Sequence, residues 1–216
     1  MAGRAKSSLL FALMVGRNWL EIKRLEVGFF ENNCYVLICP KMPESVIVDP
    51  AAEAKRILQQ TEKTKVKYIL ITHGHMDHIG ALEEVRKYTG APVGIHPGDA
   101  RALKKPPDFF LEDEHRLSFG DVTLKVLHTP GHSPGGVCFL TGKILFSGDT
   151  IFPNGPGNTA IPGADPKLIL ESIHSKIFVL PEDTTIYPGH GLETTVGREK
   201  ATPFYPLPQK TTGGHG

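Results

Sequence analysis

Apolar residues along this chain fall into short runs broken by turns rich in Gly, Pro and Asn, with a few longer stretches of helical period among them. Residues 20–27 and 34–39 read as strands separated by the polar turn Glu31-Asn32-Asn33, and residues 45–48 as a third strand closed by Asp49-Pro50. Over 51–62 the period predicts a helix with Ala54, Ile57 and Leu58 on one face, and 66–71 follows as a buried strand. Strand, helix and strand in that order are the ingredient of an α/β layer. A second helix is predicted over 79–88, with Ile79, Leu82 and Val85 as its inner stripe and Gly90 and Pro92 as its stop. A short strand is expected over 92–96. Loop with a little helix is expected over 100–114, broken by Pro106-Pro107. Strands at 122–127, 136–140 and 143–146 precede a third helix over 167–178, with Leu168, Ile169, Ile173 and Ile177 inward, and a last strand over 184–187.

The length of 216 residues suits one domain, placed at 19–203. Residues 1–18 are expected to be an unstructured extension. Arg4 and Lys6 ahead of the apolar run at 9–15 give it a superficial likeness to a secretory signal, but the run is short and no clean small-x-small site follows. Met14 is a second candidate for the start of translation. Residues 204–216, rich in Pro, Gly and Thr, are expected to fray.

A hydrophobic fraction of 40% with 22% charged residues is that of an ordinary soluble globular protein. The net charge of +1 and the lack of basic runs interleaved with aromatics offer nothing to nucleic acid or an anionic membrane. No apolar run approaches the roughly 20 residues of a membrane span. Cys34, Cys39 and Cys138 sit in apolar stretches and form no C-x-x-C pair, so three buried thiols in a reducing, cytoplasmic compartment are expected.

Candidate chemistry begins where the strand at 66–71 ends. Thr72-His73-Gly74-His75-Met76-Asp77-His78 packs three imidazoles and a carboxylate into one turn, which is poor packing material and good ligand material for a divalent ion such as zinc. Other strands end the same way, in turns that carry Asp49, His132, Asp149 or His190 beside a Gly or Pro. His96, His115, His128, His174 and His215 lack such a setting and read as ordinary structural or surface residues. Burying His73, His75, Asp77, His78, His132, Asp149 and His190 together without an ion would leave charge unpaired at high cost.

The blocks H-x-H-x-D-H at 73–78, Gly131-His132, Ser147-Gly148-Asp149 and Pro188-Gly189-His190 resemble, in order and spacing, the metallo-β-lactamase superfamily across roughly residues 20–200. Thr129-Pro130-Gly131-His132-Ser133-Pro134-Gly135, the stretch from Leu145 to Phe152, and Tyr187-Pro188-Gly189-His190-Gly191 followed by Thr194 to Lys200 are similar to the short bacterial branch of the hydroxyacylglutathione hydrolases, or type II glyoxalases. That branch lacks the helical C-terminal domain of the longer enzymes. The resemblance implies an α/β fold, a four-layer αβ/βα sandwich with two mixed sheets face to face and metals at one edge. It assigns His73, His75 and His132 to a first metal and Asp77, His78 and His190 to a second, with Asp149 bridging. Asp49 becomes a buried structural residue that hydrogen-bonds the ligand loop.

Five neutral imidazoles and two carboxylates carry a charge that two divalent ions would more than balance. Zinc is the first expectation, with iron or manganese as alternatives. A water polarised between two such ions, its pKa lowered toward about 7, supplies the nucleophile, so no Ser, Cys or Lys nucleophile is needed. The activity expected is hydrolysis of a small-molecule thioester, with Asp77 and His190 as the catalytic ligands. Longer glyoxalases and persulfide dioxygenases carry Gly-Arg soon after the bridging Asp. Asn158 stands at that place here, and Asn cannot supply the charge of Arg to a substrate carboxylate. Arg198 and Lys200 are the other candidate substrate contacts. Iron-dependent persulfide dioxygenase and lactonase activity on the same fold remain alternatives, with β-lactamase disfavoured by Asp149 where Cys is usual. A nuclease is disfavoured by the neutral charge, and a degenerate binding module by the complete ligand set.

Overall fold

Strand β3 (Asn32–Cys39) is buried along its whole length and shows why two cores form beside it. Its side chains alternate, Cys34, Val36 and Ile38 to one face and Tyr35, Leu37 and Cys39 to the other, and each set joins a different apolar cluster. The computed structural model describes residues 8–15 and 18–206. The first sheet runs in chain order from β1 (Ser8–Val15), β2 (Asn18–Val27) and β3 through β4 (Glu44–Val48), β5 (Lys65–Leu70) and β6 (Val93–Ile95) to β7 (Phe109–Phe110). It is antiparallel as far as β4 and parallel from there on. The second sheet contains β8 (Arg116–Phe119), β9 (Val122–His128), β10 (Val137–Thr141) and β11 (Ile144–Gly148), and then β14 (Thr185–Pro188) and β15 (Thr194–Thr195), in the order β15-β14-β11-β10-β9-β8. A small ribbon of β12 (Ile151–Phe152) and β13 (Gly155–Pro156) follows β11.

The helices are α1 (Ala54–Gln59), α2 (Met76–Ile79), α3 (Leu82–Thr89), α4 (Pro166–Ser172) and α5 (Val196–Lys200). Three apolar clusters separate four layers. Ile57, Leu58, Leu82 and Val85 from α1 and α3 cover one face of the first sheet. Leu37, Val46 and Leu70 meet Leu124, Phe139 and Phe146 between the sheets. Ile169, Ile173 and Ile177 cover the outer face of the second sheet at Cys138, Leu145 and Ile186. This is the expected α/β sandwich of helix, sheet, sheet and helix. No helix among the described residues is long and apolar enough to cross a membrane.

Several elements depart from what the sequence predicts. The helix expected over 79–88 is two helices broken at Gly80-Ala81, because the Ala81 N–H donates to Pro50 O (2.9 Å) and a Cβ at Gly80 would collide with Ala51 O. The helix expected over 51–62 is confined to α1, since Glu53 is left-handed (φ 55°) and cannot continue a helix toward Pro50. The helix expected over 167–178 ends in a π turn at Ile173–Ile177, closed by Phe178 N–H to Ile173 O at 2.8 Å, which keeps both isoleucines against the sheet. β7 lies within the stretch 100–114 expected to be loop, and β8 in the stretch after it for which no element is expected.

The domain limits also shift. Residues 8–15, expected within an unstructured extension, pair as β1 along the edge of β2, from Ser8 opposite Leu25 to Val15 opposite Asn18. An open strand edge is a row of unsatisfied donors and acceptors, and β1 satisfies it. At the other end Tyr205 is buried, its hydroxyl donating to Phe152 O (2.9 Å) and lying 3.0 Å from Glu199 Oε2, so the packed domain extends past the expected limit at 203. The rest of the expected tail, 207–216, lies outside the described residues.

The layer between the sheets sets the position of every strand end. Phe139 is fully buried there. Phe139→Ala is expected to destabilise the fold by about 3–5 kcal/mol, read as a lower urea midpoint at unchanged slope.

Candidate metal centre

Strands β4, β5, β9, β11 and β14 end at one edge, and the turn beyond each carries part of the site. The turn after β5 holds His73 and His75 and runs into α2, whose first turn carries Asp77 and His78. His132 follows β9, Asp149 follows β11, and His190 follows β14.

Ligand atoms of His73, His75 and His132 lie within 4.8 Å of one another, as do those of Asp77, His78 and His190 and those of His73, His78 and Asp149. Asp149 spans the two histidine groups. Its Oδ1 is 3.3 Å from His78 Nε2, and its Oδ2 is 3.6 Å from both His132 Nε2 and His190 Nε2. Such an approach needs a residue without a side chain at 189, because a Cβ on Gly189 would collide with the Asp149 carboxylate and the His78 ring. All seven residues expected as ligands therefore meet at one place.

Outer partners fix which ring nitrogen faces inward. His132 Nδ1 lies 2.9 Å from Asn158 O and His190 Nδ1 2.9 Å from Phe30 O. A carbonyl only accepts, so both Nδ1 atoms carry protons and both Nε2 lone pairs point into the centre. His78 Nδ1 faces the Asp49 carboxylate at 2.9 Å, with the same result. Thr72 Oγ1 donates to Asp49 Oδ2 (2.6 Å) and can accept from His73 Nδ1 at 3.1 Å, which turns the His73 Nε2 lone pair inward as well. His75 Nδ1 sits 3.0 Å from His132 Nε2.

His73 Nε2, His78 Nε2 and Asp149 Oδ1 are buried without a hydrogen-bond partner. An unsatisfied buried polar atom costs about 1–3 kcal/mol, and a group of them aimed at one point is an arrangement that a bound cation would satisfy. Charges respond accordingly. Burial opposes ionisation of Asp149, yet the His78, His73 and His190 rings hold its carboxyl far below the usual range. His190 and Asn32 do the same for Asp77. Burial, aided by the His78 charge, pushes His73 well down. For His78 burial is overcome by Asp149 and Asp49, which hold it well above the ordinary imidazole value, so a divalent ion there would take the place of its Nε2 proton. The donor set of neutral imidazole and ionised carboxylate fits divalent zinc, iron or manganese.

The expected role of Asp49 in shaping the ligand loop is visible in its bonds to Thr72 N (2.7 Å), Thr72 Oγ1 and His78. The expected substrate contacts fare differently. Asn158 adjoins the centre, but it is the backbone carbonyl that meets His132, while its side chain accepts from Ala160 N at 2.9 Å. Arg198 and Lys200 are exposed on α5, which starts where β15 pairs with Thr185, at the end of β14 remote from His190. No described contact joins them to the seven residues, so they are not brought to the centre.

Two residues of the site escape sequence reasoning. Asn32 Nδ2 donates to Asp77 Oδ2 at 3.0 Å and lies 3.3 Å from His190 Nε2. Asp99 accepts from Gly74 N (2.8 Å), Ser133 Oγ (2.7 Å) and Gly135 N (2.8 Å), tying the loop of His73 and His75 to the loop of His132. The one available signal for Asn32 is an Asn pair set directly before a fully apolar run. Asp99 has none, since its partners lie far away in the chain.

A model of the metallo-beta-lactamase superfamily matches residues 27–190. The hydroxyacylglutathione hydrolase GloC of Haemophilus influenzae is 33% identical over 86% of this chain and 98% of its own length. The solved structure of the BLEG-1 B3 metallo-beta-lactamase superposes with a TM-score of 0.78 at 38% identity, covering 82% of this chain and 95% of that one. TTHA1623, described in a di-iron-bound form, gives 0.73 at 37% identity over 83% and 97%.

Asp49→Asn leaves the shape of the loop but places an amide donor against donors. Zinc affinity, measured by competition with a chromophoric chelator, is expected to fall about 10- to 100-fold while the fold is retained.

Proposed function

The chain belongs to the metallo-beta-lactamase superfamily, and on that premise we propose that it is a dinuclear metal-dependent hydrolase of a small-molecule thioester, similar to the short hydroxyacylglutathione hydrolases. The observation that carries this reading is the pair of histidine groups joined by Asp149, with unpartnered lone pairs converging between them. His73, His75 and His132 would hold one divalent ion and Asp77, His78 and His190 the other, with Asp149 shared. Zinc suits the donors, and a di-iron relative keeps iron in view. When bound, such a pair lowers the pKa of a water between them, so that it attacks as hydroxide, and polarises the substrate carbonyl.

The residues of the chain supply orientation. Asp77 and His190 are half-open, each with a side chain 27% exposed, and within reach of an arriving substrate. Asp77, held ionised, accepts a hydrogen bond from the attacking water and aims it at the carbonyl carbon. Asn32 holds Asp77 in place from behind. Asp49, Asn158 O and Phe30 O hold His78, His132 and His190 in the tautomer that keeps each Nε2 available. The leaving thiolate has a conjugate acid of pKa about 8.5 and needs little proton assistance. Free, buried Cys34, Cys39 and Cys138 fit a reducing compartment, and we place the protein in the cytoplasm.

β-Lactam hydrolysis is the second reading, supported by the likeness to BLEG-1. Thioester, lactone and β-lactam substrates offered to the same preparation separate the readings, and oxygen consumption with a persulfide tests for a dioxygenase. Wild type is expected to hold about two divalent ions per chain and to lose thioester hydrolysis on chelation. Asp149→Ala is expected to lose bound metal and at least about 1,000-fold in kcat/KM. A fully active, metal-free protein would overturn the proposal. Because imidazole ligands must shed their protons while Asp77 and Asp149 stay ionised, metal retention is expected to fall steeply as pH drops below about 6, in an equilibrium dialysis series.

A further inference from the structure

A groove of about 190 Å³ opens beside His75, between the turn at Gly74 and the loop at Ser133-Pro134. Its walls are fixed in advance. Asp99 ties Gly74 N, Ser133 Oγ and Gly135 N together, and a Cβ at Gly74 would stand only 2.7 Å from Ala102 Cβ. The negative charge of Asp99 is absorbed by those three donors and is buried. Arg101 also lines the groove, two residues beyond Asp99 in the 3-10 turn Pro97–Ala102.

Arg101 is exposed and has no hydrogen-bond or ion-pair partner among the described residues. Arg24, Arg56 and Arg86 each pair with a carboxylate instead. Arg116 and Arg198 do not line this groove. A guanidinium is a planar fork of donors that matches a carboxylate bidentately, and an unspent one beside a candidate metal ligand is placed to read an anionic substituent. Asn158, whose backbone carbonyl meets His132, brings no charge to the centre, and its side chain is engaged with its own loop.

We propose that Arg101 anchors a carboxylate of the substrate in the groove beside His75 and so sets the specificity of the centre for carboxylate-bearing thioesters. This rests on the thioesterase reading. With the carboxylate held at Arg101, the carbonyl is brought next to His75 and His132 on the same side of the centre. The carboxylate can belong to the acyl half or to the thiol half of the substrate.

The test compares wild type, Arg101→Met and Arg101→Lys on three thioesters. These are S-lactoylglutathione, with carboxylates on the thiol half, S-succinyl-N-acetylcysteamine, with one on the acyl half, and S-acetyl-N-acetylcysteamine, with none. Arg101→Met is expected to lower kcat/KM by about tenfold or more, through KM, on at least one of the first two and by less than about twofold on the third. The substrate that responds shows which half carries the anchor. Arg101→Lys is expected to fall between, since it keeps the charge and loses the fork. Equal losses on all three, or no loss on either anionic substrate, would overturn the proposal. Calorimetric binding of uncleavable thioethers with a carboxylate on either half gives a readout independent of turnover. A Kd weakened about tenfold in Arg101→Met, in a protein that cleaves no thioester, would retain the anchor and refute the thioesterase. An unchanged Kd would refute the anchor itself.

Discussion

Two buried carboxylates gripping one loop are the constraint on which the centre depends. Asp49 takes the backbone and hydroxyl of Thr72 at one end of the loop and the ring of His78 at the other. Asp99 takes Gly74 N in between. A carboxylate withdrawn from water is tolerable only with several donors on it, so each of these acids dictates where its donors sit. Because Thr72 spends its hydroxyl proton on Asp49, its oxygen is left to accept from His73. Because Asp49 claims His78 Nδ1, the other ring nitrogen is the one turned to the centre. Two candidate ligands, His73 and His78, are thus oriented by groups that are not themselves in the expected ligand set.

Convergence from the other side depends on the packed layer between the sheets. Leu37, Val46 and Leu70 of one sheet interlock with Phe139 and Phe146 of the other, and this contact decides how far Asp149 and His190 stand from His73 and His78. Interiors packed to crystal-like density transmit small displacements, so the few ångströms across the centre are set by apolar side chains that carry no chemistry. The absence of a side chain at Gly189 then permits the last approach. The result is a preorganised concentration of lone pairs and negative charge, costly in the bare protein and favourable once cations are supplied. The same rigidity extends to the groove walls at Gly74 and Gly135, which Asp99 holds as one unit with the centre.

Much of this was legible along the chain. The core strands were, because buried strands leave continuous or alternating apolar runs, as in 34–39 and 66–71, whereas β1 and the short strands such as β7 and β8 were not. Four of the seven clustered residues were, because three imidazoles and a carboxylate in one turn have no packing rationale, and His132, Asp149 and His190 stood out as donors in Gly-bearing turns at strand ends. Asn32 and Asp99 were not, since a single polar residue in a loop looks the same whether it meets water or a partner across the molecule. The break at Gly80 was hidden because the apolar period continues through it, while the cause lies in Pro50 and Ala51. Arg198 and Lys200 looked suitable by charge alone, and their distance from His190 follows from the pairing of β15 with Thr185 rather than from anything local.

By itself the sequence determined the kinds of element, their order and the inventory of donor atoms, because period and residue type are local properties that each short stretch carries whole. Only the tertiary structure decided which ring nitrogens face inward, which acids clamp the loop, and which cation shares a groove with His75. Those outcomes depend on partners brought together by the packing of two sheets, and the energy of a hydrogen bond or ion pair exists only once both partners are in place.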